Sequence, residues 1–244
     1  MDAPAKARRP YAVFDIDGTL VRWQLFHALV DELEAMGHIP SNAYEAVLTA
    51  RLVWQQRSST DSYHSYEAAI IKAYLAALQG LEVSVFTEAT QHVFNTHKDR
   101  VYVFTRDLIA SLKAKNYLLF AISGSQEEIV KLLAAHYGFD SVTGSHYEQI
   151  RGRFTGKYQL INHFNKVQAL KDMQKVFQTT QKASLAIGDS EGDIPLLAAV
   201  EKPIAFNPTK TLFEHAKAQR WQIVIERKNV IYTLRNHNGH YLLA

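Results

Sequence analysis

Three short runs of β-forming, mostly apolar residues constrain this chain more than any other feature, because each closes on small or acidic residues. Tyr11-Ala-Val-Phe leads into Asp15-Ile-Asp17-Gly18-Thr19. Tyr117-Leu-Leu-Phe-Ala-Ile122 leads into Ser123-Gly124-Ser125, and Ala183-Ser-Leu-Ala-Ile187 into Gly188-Asp189-Ser190. Runs this apolar are hidden on both faces, as parallel strands are, and the polar end is where such a strand meets its loop. Parallel strands need crossovers, and segments of helical period fill the gaps: Asp107 to Lys115, Gln126 to Tyr137 with Ser125 as N-cap, Lys166 to Phe177, Ile194 to Val200 and Thr211 to Ala218. Further strands are expected near Ser141 to Thr143, at Pro203 to Phe206 and at Trp221 to Ile225. The stretch Tyr147 to Tyr158, with Arg151-Gly152 and Thr155-Gly156, reads as a β-hairpin. The expected fold class is α/β: a three-layer, Rossmann-like core whose parallel sheet is covered on both faces.

The first strand is not followed at once by its crossover. Leu25, Phe26, Leu29, Val30, Leu33 and Met36 recur at helical spacing, and Gly37 closes that helix. Val47, Leu48 and Leu52 mark a second helix, Tyr63, Tyr66, Ile70, Tyr74 and Leu78 a third ended by Gly80, and Val85 to Phe94 a fourth. No strand pattern interrupts them. The organisation expected is an α/β core made from residues 1–22 and 99–244, split by an all-helical cap domain over residues 23–98.

Composition narrows the function. With 47% apolar and 21% charged residues, the 244-residue chain is unlike a disordered one. Its 27 Lys and Arg against 24 Asp and Glu leave +3, too little for a nucleic-acid partner held by electrostatics. Zero cysteines exclude disulfides, thiolate catalysis and Cys-ligated metals. No apolar run reaches the roughly 18 residues of a membrane span, and MDAPAKARRP lacks the apolar middle of a signal peptide. That arm, with Lys6, Arg8 and Arg9, reads as a loose, solvated end. A cytoplasmic protein working through oxygen and nitrogen side chains is expected.

In a doubly wound sheet, strand C-termini share one edge, where the ligand crevice forms. Alternation therefore gathers Asp15, Asp17, Ser123, Gly124, Asp189 and Asp193 there. Clustered carboxylates repel and are costly to desolvate, and a divalent cation compensates; all-oxygen ligands favour Mg²⁺. Asp15 and Asp17 suit a displacement in which one carboxylate attacks and the other moves protons, although Asp-Gly at a strand end is also a common turn. Ser123-Gly124 before a helix offers a hydroxyl and N–H groups to an anion, or is simply a cap. Lys166 at a helix start is either functional or solvated, and Asp189 is either a ligand or an N-cap. The Asn236-His-Asn-Gly-His240 segment reads as a mobile tail in preference to a metal site. HExxH, GxxxxGK[ST] and GxGxxG are all missing.

Taken in order, these segments resemble the motifs of the haloacid dehalogenase-like hydrolases, and most closely the branch with a helical cap after the first strand, which includes phosphoserine phosphatases. Asp15-Ile-Asp17-Gly18-Thr19 is similar to the first motif, Ser123-Gly124 to the second, Lys166 to the third, and Gly188-Asp189-Ser190-Glu191-Gly192-Asp193 to the fourth. Arg151-Gly-Arg-Phe-Thr-Gly156 resembles the small hairpin that this branch carries before its Lys.

The resemblance implies a phosphatase for a small-molecule phosphomonoester. Asp15 is then the nucleophile that becomes an aspartyl phosphate, and Asp17 the acid and then the base. Ser123 and the Gly124 N–H hold phosphate, Lys166 neutralises it, and Mg²⁺ sits on Asp15, the Asp17 carbonyl and Asp189, with Asp193 contributing directly or through water. Phosphoryl transfer asks mainly for positioning and charge cancellation, which fits these roles. The same motifs also serve phosphotransferases and mutases. A phospho-accepting receiver module shares the acidic cluster but is shorter and lacks the cap. Gln24 stands where phosphoserine phosphatases carry a Glu that reads the substrate ammonium, and Gly192 where they carry Asn. The loss of that reader at Gln24 points away from phosphoserine. Trp23, Trp54, Tyr63 and Tyr66 are candidates to line an apolar or aromatic pocket, or are helix-packing residues; Arg51 and Arg57 are candidates for a second anion.

Overall fold

The computed structural model describes residues 8–56, 62–161 and 165–243. Strand β1 (Pro10–Phe14) lies at the centre of a nine-stranded sheet with β2 (Leu118–Gln126), β3 (Ser141–Ile150) and β4 (Arg153–Gln159) on one side. On the other side run β5 (Thr180–Gly188), β6 (Lys202–Phe206), β7 (Gln222–Arg227), β8 (Val230–His237) and β9 (His240–Leu243). The six strands from β3 through β7 pair in parallel, and β4, β8 and β9 join antiparallel at the edges. The expected parallel sheet is therefore the middle of a mixed one. The expected strand at 141–143 and the first arm of the hairpin are one continuous β3, turning at Arg151-Gly152 with both φ positive.

The C-terminal segment corrects an expectation. Residues 236–240 are no mobile tail: His237 pairs with His240 across a hairpin whose turn, Asn238-Gly239, has both φ positive. Asn-Gly favours that two-residue turn, and β8 then adds to β7. Arg9 is not loose either, since its guanidinium donates to the carbonyl oxygens of Asn116 (3.0 Å) and Tyr117 (2.9 Å). Lys6 and Arg57 lie outside the described residues.

Four helices follow β1: α1 (Leu25–Ala35), α2 (Ser41–Gln55), α3 (Ser62–Leu78) and α4 (Val83–His97). Then come α5 (Val103–Ala114) before β2 and α6 (Glu127–Tyr137) after it. Beyond β4 are α7 (Lys166–Phe177), α8 (Ile194–Ala198) and α9 (Lys210–Ala218). Alternation along β1 divides the sheet's faces. Tyr11 and Val13 pack with Leu170, Met173, Leu196, Leu197, Leu212 and Ala216 of α7, α8 and α9. Ala12 and Phe14 pack with α5 and α6, and the same continuous apolar cluster takes in Leu29, Leu33, Tyr66, Ile70, Tyr74 and Phe86 of α1, α3 and α4.

The chain leaves and re-enters the core through paired segments. The Arg22 N–H donates to the Arg100 carbonyl and the Tyr102 N–H to the Leu20 carbonyl, both at 2.9 Å. Arg22 also donates from Nε to the Val101 carbonyl (2.9 Å) and ion-pairs with Glu226 at the end of β7. That carboxylate accepts from the N–H groups of Val103 (3.2 Å) and Phe104 (2.8 Å), so a residue of β7 caps α5.

Candidate active site

Because β1, β2 and β5 are parallel, their polar ends meet at one sheet edge, at the point where the strand order reverses about β1. Asp15 follows the last residue of β1, and its N–H still pairs with the Ile187 carbonyl at 3.0 Å. The chain then coils so that the N–H groups of Thr19, Leu20 and Val21 all reach the Ile16 carbonyl. Gly18 makes this coil possible with φ +77°, and a Cβ there would lie 2.3 Å from Asp189 Oδ2.

All seven residues singled out from the sequence, Asp15, Asp17, Ser123, Gly124, Lys166, Asp189 and Asp193, belong to strand ends or helix starts along this edge. Lys166, the first residue of α7, is buried, and its Nζ donates to Asp15 Oδ1 (2.8 Å) and Asp193 Oδ1 (2.6 Å). The other oxygen of Asp193 accepts from the N–H groups of Asp189 (3.2 Å) and Ser190 (3.1 Å) and from the Ser190 hydroxyl (3.0 Å). Ser190, not Asp189, is the N-cap of the short turn that follows β5. Asp189 instead accepts from the Thr19 hydroxyl at 3.3 Å, a contact that sequence pattern did not single out.

Asp17 turns the other way. Its Oδ1 accepts from the Leu25 N–H at the start of α1 (2.6 Å), and its Oδ2 from the Ser123 hydroxyl (2.8 Å). The Ser123 oxygen also accepts from the Ser125 N–H at 3.0 Å. Ser125 is not the N-cap of α6: it lies in β2, Gln126 holds the cap position, and the Ser125 hydroxyl accepts from the Phe26 N–H at 3.2 Å. Gly124 is exposed at the end of this strand. Gln24, at the N-cap of α1, is partly buried and makes no side-chain cap bond.

The site carries an excess of negative charge. Burial pushes the Asp15 carboxyl up to about 7; Lys166 opposes this, and Asp193 and Asp17 add to it. Burial also raises Asp17, against the hydrogen bonds it receives from Leu25, Ser125 and Ser123. Asp189 is driven well above the usual carboxylate range by burial and then by Asp15 and Asp193. Burial disfavours the Lys166 ammonium, but Asp15 and Asp193 outweigh it and raise its pKa. One ammonium faces four carboxylates. Asp15, Asp189 and Asp193 each present an oxygen, all within 4.8 Å of one another. Hard oxygen donors with uncancelled charge fit a small divalent cation.

Aromatic residues of α2 and α3 pack beside the first turn of α1, where the Tyr66 hydroxyl meets His27 Nδ1 at 3.2 Å. Trp54 stacks on Tyr66 at 5.2 Å and 8°, and Tyr63 meets Trp54 edge-on at 5.5 Å. Burial raises the Tyr63 pKa, and Glu67, Asp189 and Asp17 add to it. Arg51 does not wait for a second anion: it ion-pairs with Asp31 (2.6 Å) and donates to the Tyr66 hydroxyl (3.0 Å).

A family model described as haloacid dehalogenase-like hydrolase matches residues 12–198. The chain belongs to the haloacid dehalogenase-like hydrolases. This family member is 25% identical over 208 residues to phosphoserine phosphatase SerB2 of Mycobacterium tuberculosis, across 84% of its own length and 46% of that protein. It is 26% identical over 197 residues to the phosphoserine phosphatase of Streptococcus thermophilus, across 80% and 82% of the two chains. It thus spans about half of the first relative and most of the second. A Bordetella pertussis Tohama I protein of unknown function shares the fold with a TM-score of 0.72 at 22% identity, over 90% of this chain and 99% of that one. A phospho-aspartyl intermediate analogue of phosphoserine phosphatase does so with a TM-score of 0.61 at 18% identity, over 91% and 95%. Both of these curated relatives are phosphoserine phosphatases, to which the chain is similar at 25–26% identity. Among the described residues, no helix is long and apolar enough to cross a membrane.

Proposed function

We propose that this hydrolase cleaves a small-molecule phosphomonoester through an aspartyl phosphate on Asp15, with helices α1–α4 (the expected cap, residues 23–98) set over the reacting edge. The observation that carries the reading is the Lys166 ammonium held by both Asp15 and Asp193, while Asp17 faces away onto Ser123 and α1. The two carboxylates of the first motif thus have separate surroundings and can take separate duties. An Asp15 oxygen attacks phosphorus as the bond to the alcohol oxygen breaks. Asp17, whose raised pKa favours the protonated form, gives its proton to that leaving oxygen. Asp17 then takes a proton from the water that attacks phosphorus, the bond to Asp15 breaks, and phosphate leaves.

Ser123 and the Gly124 N–H would hold phosphate oxygens, and Lys166 would balance charge beside Asp15. The donor set of Asp15, Asp189 and Asp193, with the Asp17 carbonyl, would hold Mg²⁺. Bound Mg²⁺ would supply positive charge against the phosphoryl oxygens as they approach a carboxylate. Uncharged Gln24 at the start of α1 supports a substrate other than phosphoserine. The test is phosphate release from a panel of phosphomonoesters, phosphoserine included, in buffer containing Mg²⁺. Asp15→Asn is expected to lower turnover by at least about 10³-fold with the fold unchanged by circular dichroism. Undiminished turnover in that variant would reject the covalent route, and strong selectivity for phosphoserine would reject the reading of Gln24.

A further inference from the structure

Helices α2 and α3 bring a set of aromatic rings against the first turn of α1, and the phosphatase chemistry proposed above gives them no role. The Trp54 and Tyr66 rings are stacked and nearly parallel, and Tyr63 closes their edge, 5.5 Å from one ring and 6.5 Å from the other. This array is held rigidly. The Tyr66 hydroxyl accepts from Arg51 (3.0 Å) and meets His27 Nδ1 (3.2 Å), and the His27 and Tyr66 rings pack edge to face at 4.9 Å. His27 belongs to the same first turn of α1 whose Leu25 and Phe26 N–H groups bind Asp17 and Ser125, so the wall and the site share one anchor.

Three features bear on what the wall meets. Tyr66 is fully buried, whereas Tyr63 and Trp54 remain partly exposed and can touch a ligand. Tyr63 adjoins Tyr66, whose hydroxyl meets His27 on the first turn of α1, the turn whose Leu25 N–H binds Asp17. Among the described residues, Arg51 is paired with Asp31 and Gln24 is uncharged, and the ring faces and edges of Tyr63 and Trp54 are what remains partly exposed here.

Resting on the phosphatase reading, we infer that Tyr63 and Trp54 select the substrate, a phosphomonoester whose alcohol portion carries a planar aromatic or heteroaromatic ring that packs against them. Ring-on-ring geometry gives more than apolar burial, about 0.5–1.5 kcal/mol per pair. That increment separates an aromatic ring from a saturated one of similar size.

The experiment compares 2-phenylethyl phosphate with 2-cyclohexylethyl phosphate as substrates in the presence of Mg²⁺. The corresponding phosphonates, which cannot be hydrolysed, are compared by calorimetric titration. The phenyl compound is expected to lead by about fivefold in both kcat/KM and affinity. Tyr63→Leu and Trp54→Leu are each expected to bring both ratios close to one. Equal or stronger use of the cyclohexyl compound by the wild-type protein overturns the inference, whatever the variants do. Hydrolysis of neither ester, alongside tighter binding of the phenyl phosphonate, sinks the phosphatase reading and leaves the ring selectivity standing. Binding of neither phosphonate overturns the selectivity.

Discussion

His27 of α1 is a buried histidine whose proton affinity differs between the folded and unfolded chain. Burial, then Arg51, lowers its pKa from 6.5 to about 4, with Asp31 opposing. Between those two values the unfolded chain binds a proton that the folded chain does not, so stability is full above pH 6.5 and falls as pH falls. By pH 4 the loss from this residue is about 3 kcal/mol. Urea unfolding across that window is expected to show the slope in the wild type and a flatter one in His27→Asn; parallel slopes would assign the acid lability elsewhere. Gly18 is a second such point. A side chain there meets both a left-handed φ, costing about 1–2 kcal/mol, and the Asp189 carboxylate. That carboxylate can swing aside, so Gly18→Ala is expected to cost little stability beyond the φ term and to lose most Mg²⁺-dependent turnover. A variant with full activity would show that Asp189 is not needed where it stands.

At the scale of elements, the chain's local signals and its long-range contacts part company. Asp15, Ser123 and Asp189 were readable because a strand end is a local pattern, and Lys166 because a helix starts on it. Sheet order was not readable, since pairing joins residues far apart in sequence. The same holds for Glu226, whose partners Arg22, Val103 and Phe104 lie on other parts of the chain and whose neighbours Ile223, Val224 and Ile225 read only as strand. The edge contact of Tyr63 depends on how α2 and α3 pack, which helical periodicity leaves open. The missed hairpin at Asn238-Gly239 is different, because its turn signal is present in the sequence. Glu226 also yields a prediction. Glu226→Ala removes the cap of α5 and the partner of Arg22, and hydrogen bonds to a buried charge are worth about 1.5–3 kcal/mol. A loss of about 2 kcal/mol is expected, together with faster tryptic cleavage at Arg100. Unchanged cleavage would mean that the paired linkers hold without the clamp.

For the molecule as a whole, a cation held at the acidic edge, as proposed, would couple its binding to stability. Burial holds Asp15 near 7, so below that pH a cation must displace a proton, and above it the carboxylate is already charged. Millimolar Mg²⁺ is therefore expected to raise the melting temperature, more above pH 7 than below it, and Asp189→Asn to abolish the rise. An equal rise in that variant would place the ion elsewhere. The continuous apolar cluster that joins Ala12 and Phe14 of the sheet to Leu29, Tyr66, Ile70 and Phe86 of the helices has a separate bearing on engineering. Exchanging the helical segment for that of a relative would break the apolar cluster that it shares with this face of the sheet, although α5 and α6 would still cover the face, so grafted specificity would arrive with a destabilised host. Selectivity in this protein is better altered one side chain at a time, from Tyr63 and Trp54 inward, than transplanted as a module.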